Sequence, residues 1–300
     1  MTKQDLGVMP AAMTIWNSDQ SYNQKGMEKY LRWLIDNGAH SISVCGTTGE
    51  NIAQTITEQK QIIEHTVKFL AGEVPIYCGT GRYATMQTVE LSKCAEEAGA
   101  DGVMIILPYY LKPHKKAVFD HFREVRKAID IDIMVYNNPW FAGYELTPSE
   151  VKTLLDEGII NAVKAAHGDV NRVHELKFLC RDKLNVLYGH DYAAMEALLA
   201  GADGWLSGFP AILPKECRTL FDICKLEKNA EKAADYQFKL QPFLNYFFYD
   251  KENEVPHWQE VCKYSLTVQG LDVGLPRKPL GELDAANKKK VEKLIADLKQ

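Results

Sequence analysis

A single lysine lies inside a short apolar segment of the chain, residues 161–166 (NAVKAA). Burying an ammonium group is costly, so a buried lysine tends to lose its proton. The neutral amine can then attack a ketone or an aldehyde and form an imine, the Schiff base of covalent catalysis. The alternative is a lysine at a strand end whose amino group reaches the surface. Because no polar face surrounds Lys164, we interpret it as a nucleophile.

Two further segments place polar groups at the ends of apolar runs. Residues 46–50 (GTTGE) offer two hydroxyls and successive backbone N–H groups, which can surround a carboxylate. An ordinary polar loop is the alternative, since short Gly/Thr loops are common. Residues 136–139 (YNNP) begin with Tyr136, whose phenol can carry protons during Schiff-base formation and carbon–carbon chemistry.

These groups need a scaffold, and the chain alternates between short apolar runs and longer amphipathic stretches. The runs are continuously apolar, as in strands that are buried on both faces of a parallel sheet. Eight such units predict a TIM (β/α)₈ barrel, in which functional groups lie where the strands end. An open doubly wound sheet is the main rival, but no G-x-G-x-x-G turn follows a predicted strand. The predicted strands are Val8–Thr14, Ser41–Cys45, Ile76–Cys78, Gly102–Leu107, Ile133–Tyr136, Ala162–Lys164, Asn185–Tyr188 and Gly204–Ser207.

The alternation stops after residue 213, and the remaining segments have helical patterns. We therefore predict a barrel over residues 1–213 and a C-terminal helical extension, residues 214–300, packed on that barrel. The predicted helices of this region are Lys215–Leu226, Ala230–Phe248, Val255–Val268 and Ala285–Leu298.

Composition excludes several classes of function. The 300 residues are 46% hydrophobic and 25% charged, with a net charge of -5, as in a globular protein with a sizeable core. The dispersed charges give no footprint for a nucleic acid. No run approaches the roughly 18 apolar residues of a membrane span, and the first ten residues lack the pattern of a signal peptide. Seven cysteines without a C-x-x-C pair favour a reduced, cytoplasmic protein in which each cysteine is a small buried residue.

The polar segments occur in an order that resembles one enzyme family. Residues 46–50, Pro108–Tyr110, residues 136–139 and Val163-Lys164, followed late in the chain by Arg277–Leu280, resemble the dihydrodipicolinate synthase/N-acetylneuraminate lyase family over nearly the whole chain. The resemblance implies a TIM barrel and a lyase that forms a Schiff base with pyruvate or another small 2-oxo acid. It implies neither a metal nor an organic cofactor, because the imine itself acts as the electron sink.

The resemblance also implies roles for individual residues. Lys164 corresponds to the Schiff-base lysine, and Tyr136 to the tyrosine that acts as general acid and base beside it. Thr47 and Thr48 correspond to the residues that hold the carboxylate of the 2-oxo acid, with Thr47 also passing protons to Tyr136. Tyr110 corresponds to a tyrosine that reaches into a neighbouring subunit's site, which implies a homo-oligomer, usually a dimer of dimers. The implied carboxylate-binding loop is Gly46, Thr47 and Thr48.

The likeness is weaker at the second substrate. Phe141 stands where the synthase has an arginine for the carboxylate of its aldehyde substrate, and a ring cannot replace a bidentate guanidinium. The sialic acid lyases have an apolar residue there. Asp191 matches an aspartate with which those lyases bind substrate hydroxyls, although the acidic residue that follows in them is Tyr192 here. Ser207 lies near the place where a lyase serine would bind the sugar tail.

Aromatic side chains are expected to wall the second substrate position, with core or interface packing as the alternative. The candidates are Trp16, Trp140, Phe141, Trp205 and Phe209. Three functions remain open: a lyase or aldolase that releases or adds pyruvate, a dehydratase or deaminase of a 2-oxo acid that uses the same imine, and a non-catalytic binding homologue. We favour an enzyme because all four residues with an implied catalytic role occur together: Lys164, Tyr136, Thr47 and Tyr110. We expect authentic dihydrodipicolinate synthase activity to be negligible.

Overall fold

Eight parallel strands form a closed barrel in the computed structural model, which describes residues 4–248 and 257–299. Each strand pairs with its neighbours in the order β1-β8-β7-β6-β5-β4-β3-β2. The ring closes between β1 and β2, where the Ala12 N–H donates to the Ser43 carbonyl at 2.8 Å. The strands are β1 Gly7–Pro10, β2 Ile42–Val44, β3 Ile76–Gly79, β4 Gly102–Ile106, β5 Asp132–Asn137, β6 Ala162–Ala165, β7 Asn185–Tyr188 and β8 Gly204–Ser207.

Strand alternation decides which side chains enter the barrel. Successive residues of a strand point to opposite faces, so every second residue faces the interior. Met134 and Tyr136 on β5 belong to the interior cluster, as do Ala162 and Ala166 on either side of Lys164. Tyr136 and Lys164 are also partners in the register of β5 and β6. The two predicted catalytic side chains are therefore placed side by side in the interior.

Helices follow the strands and cover the barrel with their apolar faces. In α1, Met27, Tyr30, Leu31 and Leu34 are buried, at the spacing expected for one helical face. The α-helices are α1 Gln24–Asp36, α2 Ile56–Leu70, α3 Thr85–Ala98, α4 Lys115–Ala128, α5 Pro139–Ala142, α6 Pro148–Asp156, α7 Asn171–Cys180, α8 Ala194–Leu199, α9 Phe209–Ile212, α10 Pro214–Asp222, α11 Ala230–Phe248, α12 Trp258–Val268 and α13 Ala285–Leu298. Shorter helical turns span Asn51–Ala53, Arg181–Lys183 and Ile223–Glu227.

The predicted barrel with a C-terminal helical extension is confirmed. The first strand, however, ends at Pro10 rather than at Thr14. The Thr14 hydroxyl beyond it donates to the Gly49 carbonyl. The helix predicted from Lys215 begins at Pro214, and its last residues form a π-helical turn. Val255 lies outside the described residues. We propose that the boundary between the barrel and the helical extension lies at residue 213, as the sequence predicts.

All seven cysteines are buried and free, as expected for small core residues. Within the described ranges, every helix is too short or too polar to cross a membrane.

Candidate active site

A cavity of about 490 Å³ lies at the carboxyl ends of the barrel strands. It collects side chains from five separate strands or the loops that follow them: Thr48 after β2, Tyr136 on β5, Lys164 on β6, Asp191 after β7 and Ser207 on β8. Parallel strands bring their carboxyl ends to the same edge of the barrel, so residues far apart in sequence meet there. The fold thus brings most of the predicted site residues together.

Lys164 is buried, and its amino group lies against an aromatic face. The residue is only 4% exposed, and its Nζ lies 4.1 Å from the centroid of the Tyr136 ring. Within the part of the chain that the structure describes, no carboxylate forms an ion pair with it. Space for the lysine depends on Gly189, where an added Cβ would lie 2.7 Å from the Lys164 Cγ.

The hydroxyl of Tyr136 is held by a neighbouring amide. The Asn138 Nδ2 donates to the Tyr136 hydroxyl at 2.9 Å, and both residues are buried. The Asn138 Oδ1 accepts from the backbone N–H groups of Trp140 and Phe141, which caps the short helix α5. One amide therefore orients the phenol and also fixes the first turn that carries two aromatic residues.

The Thr47–Thr48 loop is braced by three parts of the molecule. The Gly49 carbonyl accepts from the Thr14 hydroxyl and from the Gln54 Nε2, each at 2.6 Å. The Thr47 carbonyl accepts from the Gln259 Nε2 of α12 at 2.9 Å. Both threonines line the cavity, although no hydrogen bond joins Thr47 to Tyr136 among the described residues. The loop is thus a rigid polar wall in which two side-chain hydroxyls are available to a ligand.

Asp191 is a buried carboxylate that is bonded by its own chain. Its Oδ2 accepts from the Ser207 hydroxyl at 2.9 Å, and its Oδ1 accepts from the Trp205 Nε1 at 3.0 Å and from the Phe209 N–H at 3.4 Å. Burial raises the pKa of Asp191 to about 6, while these hydrogen bonds and the charge of Lys164 oppose the rise. At neutral pH the site therefore contains one buried negative charge.

His190 lies two residues after the end of β7 and lines the same cavity. Burial, together with the charge of Lys164, lowers the pKa of His190 to about 4. Its Nδ1 accepts from the Asp191 N–H at 3.0 Å, which is compatible with a neutral ring. Across the described residues, no group of three His, Cys, Asp or Glu side chains is arranged to hold a metal ion.

Two predicted site residues lie outside the main cavity. Tyr110 is 91% exposed, with a left-handed φ of 71°, and it does not line the cavity of its own chain. Gly46, which precedes the Thr47–Thr48 loop, lines a separate cleft of about 10 Å³ together with Met104 and Tyr136. Any role of Tyr110 in catalysis therefore requires a second subunit, as the family resemblance implies.

The predicted aromatic wall is only partly right. Trp140 and Phe141 line the cavity, but Trp16, Trp205 and Phe209 are at most 1% exposed and pack in the core. Trp16 donates to Glu50 and Trp205 to Asp191, so their indole N–H groups stabilise buried carboxylates. In their place, the structure adds to the cavity wall Tyr192, Phe247 and Trp258.

Sequence reasoning missed three supporting residues. Asn138 followed by Pro139 is a typical start of a helix, with asparagine as the N-cap and proline at the first helical position. This pattern in the sequence could have predicted the role of Asn138. Gly189 directly follows β7, and a side chain there would meet the Lys164 stem on the adjacent strand. Gln259 lies 212 residues from the carbonyl it binds, and no local pattern indicates such a contact.

Comparison with known proteins gives the same family throughout. Residues 4–298 match the model of the dihydrodipicolinate synthetase family. A 4-hydroxy-tetrahydrodipicolinate synthase of Clostridium novyi (strain NT) is 35% identical over 271 residues, which cover 90% of this chain and 88% of the relative.

Solved structures agree with this match. A prophage protein of the dihydrodipicolinic acid synthase family from E. coli K12, in complex with pyruvate, superposes with a TM-score of 0.91 at 27% identity, covering 98% of each chain. Dihydrodipicolinate synthase from Aquifex aeolicus gives a TM-score of 0.90 at 27% identity, again covering 98% of each chain. This chain therefore belongs to the dihydrodipicolinate synthetase family and is an enzyme of the lyase class.

Proposed function

We propose that the chain is a Schiff-base lyase or aldolase that acts through Lys164 on pyruvate or a pyruvate-derived 2-oxo acid. The observation that carries this proposal is the buried amine, 4.1 Å from the Tyr136 ring centroid in a cavity that also contains the Thr47–Thr48 loop. The pyruvate complex of the E. coli relative supports a 2-oxo acid as the ligand.

Each polar group has a chemical task in this proposal. The Lys164 amine attacks the C2 carbonyl of the 2-oxo acid, and loss of water gives the imine. The Tyr136 phenol, held by Asn138, donates and accepts the protons of these steps. The hydroxyls and N–H groups of Thr47 and Thr48 hold the carboxylate. Removal of a C3 proton then gives an enamine, whose C3 carbon forms a carbon–carbon bond with the second substrate. In the reverse direction, cleavage of that bond produces the enamine.

The second substrate is proposed to differ from that of the synthases. Curated relatives carry the name 4-hydroxy-tetrahydrodipicolinate synthase. Phe141, however, lines the cavity where the resemblance places an arginine for the carboxylate of the aldehyde. We therefore expect negligible condensation of pyruvate with aspartate semialdehyde, and robust turnover would contradict this part of the proposal.

We further propose that the enzyme works in the cytoplasm as a homo-oligomer, a dimer of dimers. The free, buried cysteines are compatible with a reducing compartment. Tyr110 and Leu111 are 91% and 61% exposed after β4, which fits a surface that a second subunit covers. Light scattering of the purified protein should give the mass of a tetramer, and Tyr110→Phe should lower turnover without changing that mass.

Trapping of the imine tests the central proposal. Pyruvate and sodium borohydride should attach a reduced pyruvyl group to Lys164, visible by peptide mass spectrometry. Lys263 is the matched control inside the same protein, because it is equally buried but lines neither of the larger cavities. An unlabelled Lys164, or equal labelling of both lysines, would overturn the proposal. Assays of the released products (pyruvate against water or ammonia) then separate carbon–carbon cleavage from dehydration or deamination.

A further inference from the structure

Besides Tyr136 and His190, five aromatic side chains line the cavity that contains Lys164, and we call them the aromatic wall: Trp140, Phe141, Tyr192, Phe247 and Trp258. They come from separate segments, namely α5, the loop after β7, α11 and α12. Trp140 and Phe141 are 73% and 50% exposed, although both are large apolar groups. Exposed apolar surface inside a cavity is typical of a ligand-binding surface that the ligand covers.

Hydrogen bonds within the chain anchor the backbone of Trp140 and Phe141 and the hydroxyl of Tyr192. The Asn138 side chain accepts from the backbone N–H groups of Trp140 and Phe141 at 3.0 and 3.2 Å. The Tyr192 hydroxyl donates to the Gly168 carbonyl at 2.9 Å. Groups that such bonds already fix lose less conformational entropy when a flat partner binds.

The charges of the cavity disfavour an anionic partner. Among the described residues that line it, Lys164 is the only lysine or arginine, and the imine occupies its amine. His190 is neutral at pH 7, because its pKa is about 4. Asp191 contributes a negative charge, and it already accepts a hydrogen bond from the Ser207 hydroxyl. The Asp191 carboxylate would therefore repel a carboxylate tail. Sugar hydroxyls would meet Asp191 and Ser207, which are already hydrogen-bonded to each other.

Cations do occur in a neighbouring cavity of about 370 Å³, which shares Phe141 and Trp258 with the first. The Arg277 guanidinium of that cavity is already bound within the protein, because it forms an ion pair with Glu58 and lies over the Trp16 ring at 3.9 Å from the centroid. Lys278 is exposed and is the one described lysine of that cavity. It is the group to test if a carboxylate tail binds after all.

We propose that the aromatic wall binds a flat, uncharged aromatic group, so that the second substrate is an aryl aldehyde. This inference rests on the proposed function. The enamine carbon of the Lys164-bound pyruvate forms a carbon–carbon bond with the aldehyde carbon, and the aldehyde oxygen takes up a proton. Water then hydrolyses the imine, which releases a 4-aryl-4-hydroxy-2-oxobutanoate and restores the Lys164 amine. The reverse reaction breaks the same bond and returns pyruvate and the aldehyde.

The volume of the cavity agrees with such a product. Cavities of roughly 300–1,000 Å³ enclose ligands of drug size, and this one measures about 490 Å³. Pyruvate alone leaves most of that space empty. Aromatic groups prefer ring partners in stacked or edge-to-face geometry, and the wall supplies five rings.

The experiment compares three aldehydes at saturating pyruvate: benzaldehyde, succinic semialdehyde as the carboxylate-tailed partner, and glyceraldehyde as the sugar-like partner. Because these aldehydes differ in intrinsic reactivity, the readout is the change in the ratio of their kcat/KM values between variants. Phe141→Arg should shift the ratio of benzaldehyde to succinic semialdehyde about tenfold or more toward the acid, since a guanidinium pairs with a carboxylate. Trp258→Leu should lower kcat/KM for benzaldehyde alone.

Phe178→Leu is the matched control, because this phenylalanine of α7 is 69% exposed and lies outside both cavities. It should leave all three kcat/KM values unchanged. An unchanged ratio in Phe141→Arg overturns the proposal, and so does a carboxylate preference of the native enzyme that Lys278→Gln abolishes. A native enzyme that condenses none of the aldehydes also overturns it. Borohydride trapping of pyruvate on Lys164 needs no aldehyde, so it shows separately whether the proposed function stands.

Discussion

Two lysines are buried in the described residues, and their surroundings differ in every other respect. Lys164 is 4% exposed, lines the main cavity and has the Tyr136 ring as its neighbour. Lys263, on α12, is 2% exposed and donates to the carbonyls of Thr14 and Val273, with Glu50 3.7 Å away. One amine faces a space that a ligand can fill, and the other is surrounded by oxygen atoms of its own chain.

The difference shows that burial alone does not create a nucleophile. Both side chains are removed from bulk water. The Lys263 amine, however, donates to the Thr14 carbonyl, which links the C-terminal extension to the barrel, and to the Val273 carbonyl within that extension. Glu50, its carboxylate partner, lies next to the threonine loop and also accepts from the Arg277 N–H. We therefore infer a structural role for Lys263 and a chemical role for Lys164.

The largest expected difference between the two lysines is in catalysis. Lys164→Ala should lower kcat/KM at least about 10³-fold, because no other described cavity residue can form the imine. Lys263→Met should retain labelling by pyruvate and borohydride at Lys164. Steady-state kinetics and peptide mass spectrometry of both variants check this. If Lys263→Met alone lost the label while remaining folded, the roles would have to be exchanged.

For the free energy of unfolding, we expect the larger effect at Lys263 rather than at Lys164. Lys263→Met should lower the free energy of unfolding by about 3 kcal/mol, because it leaves Glu50 buried without its cation. Lys164→Met should leave that free energy unchanged or raise it, since it removes a buried amine that no carboxylate pairs with in the described chain. Urea denaturation of both variants provides the measurement. The double variant Lys263→Met with Glu50→Gln should recover part of the loss, and equal losses in the two single variants would contradict the comparison.

The two lysines also show what a sequence can reveal. Lys164 stands out because its strand is apolar on both sides and because family motifs precede it. Lys263 lies in a helix with mixed polarity, where a lysine usually points to solvent. Its burial depends on contacts with Glu50 and Thr14, more than 200 residues earlier, so no local sequence pattern predicts that Lys263 is buried.

The same limit applies to the cavity wall. The eight strands, and the position of the predicted catalytic side chains at their ends, follow from periodicity and motif order. Phe247 and Trp258 line the cavity only because the C-terminal extension returns to the barrel mouth. Trp16 and Trp205 carry the same sequence signal as Trp140, yet they are core residues. Tertiary packing, rather than residue type, decides which aromatic side chains face the ligand.

Protonation provides a smaller test of the comparison. Burial lowers the pKa of Lys263 to about 8 from its usual 10.5, and the Glu50 charge opposes this. Between these two pH values the folded state has released a proton that the unfolded state still binds, so this group makes the protein more stable as the pH rises. The native protein should therefore gain about 2 kcal/mol over Lys263→Met between pH 8 and pH 10.

Denaturation of both proteins at several pH values measures this gain. Buried cysteines and tyrosines also titrate in the alkaline range, and taking the difference between two proteins that share them removes their contribution. A constant difference across the window would mean that Lys263 keeps its proton in the folded state.

The smallest expected effect concerns the space that Lys164 needs. In Gly189→Ala the new Cβ would lie 2.7 Å from the Lys164 Cγ and 2.8 Å from the Ala166 Cβ, so the lysine stem must shift. Gly189 has an ordinary φ, and the substitution therefore acts through this contact rather than through backbone strain. We expect pyruvate trapping at Lys164 to slow about tenfold, because a displaced amine attacks from a poorer position. Gly281→Ala, whose new Cβ would meet its nearest atom only at 3.9 Å, should trap at the native rate. If both variants trapped at the native rate, the position of the Lys164 stem would not limit imine formation, and access to the cavity alone would distinguish the two buried lysines.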